Sequence, residues 1–418
     1  MSLAARTRSL IERALEAYRD SPRAVNWLRR HLDRFDDPLR LAVVGPRKSG
    51  KSTMVNAIGG EEFAHEGEGL AWFRAAPSRS QGELTLLDTP AIDASSAPNT
   101  VEGICMEADA VLFLVRHPRN ADLGFLHTLQ DHPIARAAAI NSIVVLSRAD
   151  ELGGGRLDAL ISARQVARRY RREPEVSELG QDVVPVAGLL AAAGRTMRED
   201  EFGALAALAA LSRTELEPHL LSADRFLATD TGVRAALLER FGLFGVRLAV
   251  TLIRRGAHTL PALAAQLVPR SGLAELRDSI EQNFVARQGI LKARSALLGL
   301  EVVLRMEPHP HAAGLAGELE RTLATAHDFR ELRTLASLRA GRTSLPPELH
   351  AEAIRLVGGQ GTGLADRVGA DDASLQRAIF DALRRWRSYA EDPACGVGER
   401  RVAAVVLRSC EEMAGGGF

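Results

Sequence analysis

The segment LRLAVVGPRKSGKSTMVNAIGG, residues 39–60, constrains this chain more than any other, because it sets G-x-x-x-x-G-K-S directly between an apolar run and a helical one. That context separates a phosphate-binding loop from an incidental glycine turn. Gly45 and Gly50 let the backbone curl until successive N–H groups point inward as a nest, and the positive end of the following helix adds to the attraction for an anion. Lys51 is expected to reach the β- and γ-phosphates of a nucleotide and Ser52 to ligate magnesium, with Pro46, Lys48, Ser49 and Thr53 completing the lining. Lysine occurs only at Lys48, Lys51 and Lys292 among 53 basic residues. Where arginine is otherwise used throughout, Lys51 marks a place that needs a compact, rotatable ammonium.

A magnesium-bound nucleotide needs a second carboxylate in its outer shell, and Asp88, closing the run ELTLLD ahead of Thr89 and Pro90, is placed for it. GTPases usually carry D-x-x-G here; this chain has Ala91, which keeps its N–H but resists the backbone angles glycine tolerates. The bland role for Asp88 is turn former. Next, Ser147-Arg148-Ala149-Asp150 closes the run Ile143 to Ser147 and is similar to the N/T-K-x-D guanine motif. There the Asp carboxylate accepts N1–H and the exocyclic amine of guanine, a donor pair adenine lacks. Asp150 supplies the carboxylate and Arg148 a stem to cover base or ribose; the competing role for Asp150 is a helix cap. After Val183 to Val186, Ala187-Gly188 stands where a backbone N–H would meet the guanine oxygen. Between the loop helix and the strand ending at Asp88, residues 54–82 contain no threonine, so only Ser78 and Ser80 could serve as the switch hydroxyl, in a stretch loosened by Gly60, Gly67 and Gly69.

Strand-like runs at Leu39 to Val44, Gly69 to Arg74, Glu83 to Leu87, Ala110 to Val115, Ser142 to Ser147 and Val183 to Val186 alternate with helical segments, which implies a largely parallel sheet covered on both faces. Beyond residue 199 only 3.6-period segments follow, among them 199–211, 215–227, 233–255, 272–306, 345–357, 372–390 and 397–414. Three regions are expected: N-terminal helices over 1–36 that pack with a stalk, an α/β P-loop GTPase domain over 37–198, and an all-α helical bundle over 199–418.

Acidic and basic residues balance at 53 each, with a pI near 7.2, so no global field draws the chain to nucleic acid. Cys105, Cys395 and Cys410 form no C-x-x-C pair and fit a reducing cytosol. Residues 1–18 read as an amphipathic helix and not a signal peptide, so a cytoplasmic protein is expected. The strongest candidate for a bilayer span, Leu243 to Ile253, is too short and is interrupted by Arg247.

With these residues on the page, the chain resembles the bacterial dynamin-like GTPases of the actinobacterial isoniazid-inducible type, which occur in pairs. The likeness is carried by the N-terminal helices, GPRKSGKSTMVNAIGG, LLDTP, VVLSRADELGGGRLDAL, VVPVAGLLAAAGRT and LLERFGLFGVRLAVTLIRRG. It implies a GTPase head on a helical stalk, GTP/GDP and Mg2+ as cofactors, association with itself or a paralogous partner, and membrane remodelling at the inner face of the cell membrane. Dynamins place a Gln and a Ser where this chain has Arg47 and Lys48. Either residue could neutralise β–γ charge in cis, beside Lys51 as a catalytic group, or both could face solvent. Ala91, the missing threonine and Arg47 also leave open a hydrolysis-deficient, nucleotide-binding scaffold for an active partner. Finally, Leu237 to Arg255 carries Arg240, Arg247 and Arg254 on one stripe and Phe241, Phe244, Leu248 and Leu252 on another face. It reads as a central bundle helix or, alternatively, as an interfacial membrane helix.

Overall fold

The protein is described here from a computed structural model, over residues 2–61, 71–75, 83–92, 104, 106–116, 141–177, 179–228 and 232–415. Six apolar runs form one sheet: β1 (Leu39–Val44), β2 (Ala71–Ala75), β3 (Leu84–Asp88), β4 (Ala110–Val115), β5 (Ser142–Ser147) and β6 (Val183–Val186). Their spatial order is β2-β3-β1-β4-β5-β6, and every pair is parallel except the edge strand β2, which runs antiparallel to β3. Strands buried on both faces need no alternation of polar and apolar residues, and β4 and β5 are buried at every position. Gly67, Gly69, Ser78, Ser80 and Cys105 lie outside the described residues.

The helices that matter for the site are α1 (Leu3–Ala17), α2 (Pro22–Asp33), α3 (Lys51–Gly59), α4 (Ala159–Tyr170), α5 (Gly188–Thr196), α6 (Glu199–Ala210), α7 (Val233–Arg254), α8 (Leu273–Asn283) and α9 (Gln288–Met306). One face of the sheet, carrying Ala42, Val44, Phe113, Val144 and Leu146, packs on Ala167 of α4 and on Val176 and Leu179. The other face, with Leu41, Val43, Leu86, Leu112 and Val145, shares a core with α3 and also with Leu10 of α1, Leu28 of α2, Ile280 of α8 and Leu297 of α9. The N-terminal helices thus pack on α9, with α1 and α2 both against it. Lys292 of α9 is buried and donates to Phe35 O at 3.2 Å, fixing the chain just before β1.

Three long helical expectations are corrected. The 215–227 segment is two short helices, Arg213–Leu216 and Ala223–Leu227, with a 3-10 turn between, because Pro218 removes a donor and Ser222 caps the second helix through Arg225 N. The 272–306 segment divides at Phe284, φ −117° and ψ −59°, where burial of the ring and the Asn283 amide bond to Ser279 O at 2.9 Å replace helix continuity. Finally, α7 is interrupted at Gly242, φ 64° and ψ 166°.

That helix also settles against the interfacial reading of Leu237 to Arg255. Phe241, Phe244, Leu248 and Leu252 are buried with Leu205, Leu263 and Leu267. Its three arginines turn inward to carbonyls at the ends of neighbouring elements: Arg240 to Thr196 O at 3.0 Å, Arg247 to Leu220 O at 2.8 Å, and Arg254 to Ala209 O at 3.0 Å. Cations are favoured there because the last carbonyls of a helix lack intrahelical partners and carry its negative end. Among the described residues no helix is long and apolar enough to cross a membrane.

Candidate nucleotide site

The loop between β1 and α3 is built on steric necessity. A Cβ on Gly45 would lie inside contact distance of Leu114 O and 2.8 Å from Ser49 Oγ, so only glycine lets the loop pass over β4. Gly50, φ 89°, is the left-handed residue that turns the chain into α3. Lys48 is also left-handed, φ 60°, and with Arg148, φ 53°, it is one of only two non-glycine residues of positive φ among the described residues. Such a conformation costs about 1–2 kcal/mol in a non-glycine residue. Both instances fall in the two loops that the sequence singles out.

Lys51 Nζ lies 3.3 Å from both Gly45 O and Pro46 O, so the ammonium stands over its own loop. Ser52 Oγ donates to Asp88 Oδ2 at 2.6 Å. The other oxygen of Asp88 is buried without a protein partner. Burial pushes the Asp88 carboxyl above its ordinary range, partly offset by the Ser52 hydrogen bond and the Lys51 charge. Ser52 and Asp88 are therefore the pair that could hold a divalent cation: a neutral oxygen beside a buried carboxylate whose second oxygen has no hydrogen-bond partner. Among the described residues no group of three or more His, Cys, Asp or Glu could enclose a metal. Magnesium keeps several water and phosphate ligands and takes few from protein. Thr89 Oγ1 donates to Val43 O at 2.9 Å and Ile92 N to Gly45 O at 3.1 Å, clamping the segment after Asp88 to the loop. Ala91 between them is exposed and has no positive φ.

Arg47 and Lys48 are exposed at one end of a cleft of about 450 Å3, which is also lined by Arg116, Ser147, Arg148 and Glu151. Four cationic side chains against one carboxylate make this cleft a place for an anion. Arg148 is already tied to Glu151 at 2.8 Å.

Asp150 is the second residue of a 3-10 turn, Ala149–Gly154, which follows β5, and burial raises its carboxyl above the ordinary range. Gly188, after β6, lies beside the helix of the phosphate loop, where its built Cβ would touch Thr53 Cγ2 at 3.6 Å. One part of the expectation is corrected: the Ala187 N–H donates to Ser271 O at 2.9 Å and so is not presented to a ligand. Gly188 opens α5, where an N–H has no carbonyl one turn before it. The structure thus brings together loop 45–53, Asp88, Ser147 to Asp150 and Gly188 at the carboxyl ends of β1, β3, β5 and β6, the usual place for a ligand in an open α/β sheet.

Sequence reasoning missed the residues that brace this site from behind. Arg195 Nη1 donates to Ala57 O and Ile58 O, both at 2.7 Å, and Arg277 Nη2 to Ile58 O at 2.9 Å, so two guanidiniums close the C-terminus of α3. Burial, then the neighbouring Arg195 charge, pulls Arg277 down to about 10. No spacing rule announces such a brace, since both arginines lie far from α3 in sequence.

Comparison with known proteins completes the picture. No family model matches the chain. The isoniazid-induced protein IniC of Mycobacterium tuberculosis, from strains CDC 1551/Oshkosh and ATCC 25618/H37Rv, is 35% identical over 486 aligned positions, covering 99% of this chain and 98% of that protein. Among solved structures, the bacterial dynamin GTPase LeoA from ETEC overlaps 97% of this chain and 71% of its own at 11% identity and a TM-score of 0.29. Toc33 from Arabidopsis thaliana, in complex with Mg2+ and GMPPNP, overlaps 44% of this chain and 75% of its own at 16% identity and a TM-score of 0.26. Structural overlaps this slight carry no weight beside the full-length sequence match.

Proposed function

This chain belongs to the dynamin-like family of the isoniazid-induced protein IniC, and from that premise we propose that it binds GTP and GDP with Mg2+ at loop 45–53 and couples the nucleotide to association with itself or a paralogous partner. The observation that carries the reading is the Ser52 to Asp88 contact at 2.6 Å, with the second Asp88 oxygen buried and unpartnered. When bound, magnesium would neutralise phosphate charge beside that carboxylate. Lys51 holds the β- and γ-phosphates, the amides of loop 45–50 cradle them, Asp150 accepts the two donors of guanine, and Gly188 N–H meets its oxygen. Hydrolysis of GTP, with Lys48 or Arg47 contributing charge, and remodelling at the cytoplasmic face of a membrane complete the proposal. Both rest on the family resemblance; nucleic acid has no part in it.

Calorimetric titration of GTP, GDP and ATP with magnesium tests the pocket and the base together, and Lys51→Ala is expected to abolish uptake. Unchanged guanine-nucleotide affinity in that variant overturns the reading. A second reading, a hydrolysis-deficient scaffold for an active partner, draws on Ala91 and on exposed, solvent-facing Arg47. Phosphate release by the purified chain, alone and with a paralogous partner, separates the two.

A further inference from the structure

The base-recognition side of this site is walled by the helical region as well as by the sheet. Three contacts reach it. At the break in α7, a Cβ built on Gly242 would lie 3.6 Å from Leu189 Cδ1 and 3.7 Å from Asp150 Oδ2. Its φ of 64° with ψ of 166° is backbone space that essentially only glycine enters, so the break itself demands glycine and sets α7 in ordinary contact with Leu189 and Asp150. Five residues on, Arg247 donates from Nη1 to Gly155 O at 2.6 Å and from Nε to Leu220 O at 2.8 Å. Third, Ser271, fully buried, accepts the Ala187 N–H at 2.9 Å. Behind it, Gly272 has no room for a Cβ against Pro185 O.

We propose that Arg247 is a positioning residue for base recognition: by holding Gly155 O it fixes the turn from Arg148 to Gly155, and with it the direction in which Asp150 meets a base. The inference rests on the guanine-binding reading above. The turn needs an external anchor. It is short, it begins at a left-handed Arg148, and it ends at two left-handed glycines, Gly154 at φ 79° and Gly155 at φ 67°. Its last carbonyl finds no partner within the turn and is satisfied by a guanidinium 92 residues away. The same guanidinium also holds Leu220 O and Leu221 O, two successive carbonyls of one 3-10 turn, so its position is fixed by the helical region and not by the turn it serves. Arginine suits this because its planar fork can span separate acceptors at fixed angles, which a lysine cannot do. Asp150 itself has a glycine of α7 beside one carboxylate oxygen, so a shift of α7 alters the wall of the base site directly.

The test uses the full chain and compares its affinities for GTP, ATP and inorganic tripolyphosphate, each with magnesium. Arg247→Gln is expected to reduce the GTP-over-ATP preference roughly tenfold, in the range by which removing a supporting hydrogen bond weakens a site it does not touch. Tripolyphosphate affinity should stay within about twofold, because the phosphate loop is untouched. Arg247→Lys, which keeps charge and one donor, should lose part of the preference; it carries the same comparison if the glutamine variant does not fold. Arg254→Gln removes an equivalent brace on the same helix, away from the turn, and should leave base preference unchanged. Equal losses for GTP and tripolyphosphate, or an unchanged GTP-to-ATP ratio in both Arg247 variants, would overturn the inference. A parent chain that takes up tripolyphosphate without preferring GTP would instead overturn the guanine site itself, and the inference with it.

Discussion

Ser52 and Asp88 face each other across the mouth of the first αβ unit, hydroxyl to carboxylate at 2.6 Å, with the remaining carboxylate oxygen enclosed and unanswered. Ionised Asp88 is thus a cost to the protein without a cation. Its folded pKa is raised above the 3.8 of an unfolded aspartate, so the associated stability is present below 3.8 and is lost as pH climbs through the raised value. In chelator, Asp88→Asn is expected to melt above the parent at pH 7, and the gap should close as pH falls toward 3.8. With Mg2+ and GTP the order should invert, since the variant cannot support the ion. Scanning calorimetry under the two conditions checks both signs.

Gly45 and Gly203 predict opposite outcomes for the same substitution. Gly45→Ala drives a methyl into Leu114 O and Ser49 Oγ and is expected to destabilise by roughly 1–3 kcal/mol and to abolish nucleotide uptake. Gly203 lies inside α6 with nothing within 4 Å of a built Cβ, and Gly203→Ala should stabilise by about 0.5–1 kcal/mol. Thermal unfolding of the two variants reads the contrast directly.

Lys48 keeps a left-handed backbone that glycine would adopt without strain. Lys48→Gly is therefore expected to hold or raise the unfolding temperature while slowing GTP turnover by more than about tenfold, a stability gain at the expense of activity. Turnover equal to the parent's would remove Lys48 from the charge-compensating role.

Arg254 serves Ala209 O at 3.0 Å and Leu211 O at 2.6 Å, near the end of α6. Arg254→Gln should cost about 1–2 kcal/mol of stability, the usual worth of hydrogen bonds from a charged donor. Liposome co-sedimentation should not change, because α7 faces protein on the side once open to a lipid reading.

Much of this is legible in the amino-acid sequence alone. The glycine-lysine loop, the parallel strand runs and the carboxylate closing β3 all depend on local order, which a sequence displays. What escaped detection depends on distance. The seven-residue spacing of Arg240, Arg247 and Arg254 looks like a solvated stripe, since periodicity records which residues share a face and not which carbonyls wait opposite. The division at Phe284 carries no Gly or Pro to announce it. Ala187 matched its motif by position, yet its N–H was claimed by Ser271, a residue that no nearby pattern connects with β6.

The sheet face bearing Leu41, Val43 and Leu112 is finished by Phe284 and Leu297, which the ribosome supplies some hundred residues after β6. During biosynthesis that greasy surface must wait uncovered, a window in which nascent chains aggregate or recruit chaperones. The nucleotide loop is accordingly no detachable cassette: a fragment ending near residue 198 is expected to precipitate, whereas one continued through residue 332 contains every apolar partner the face requires.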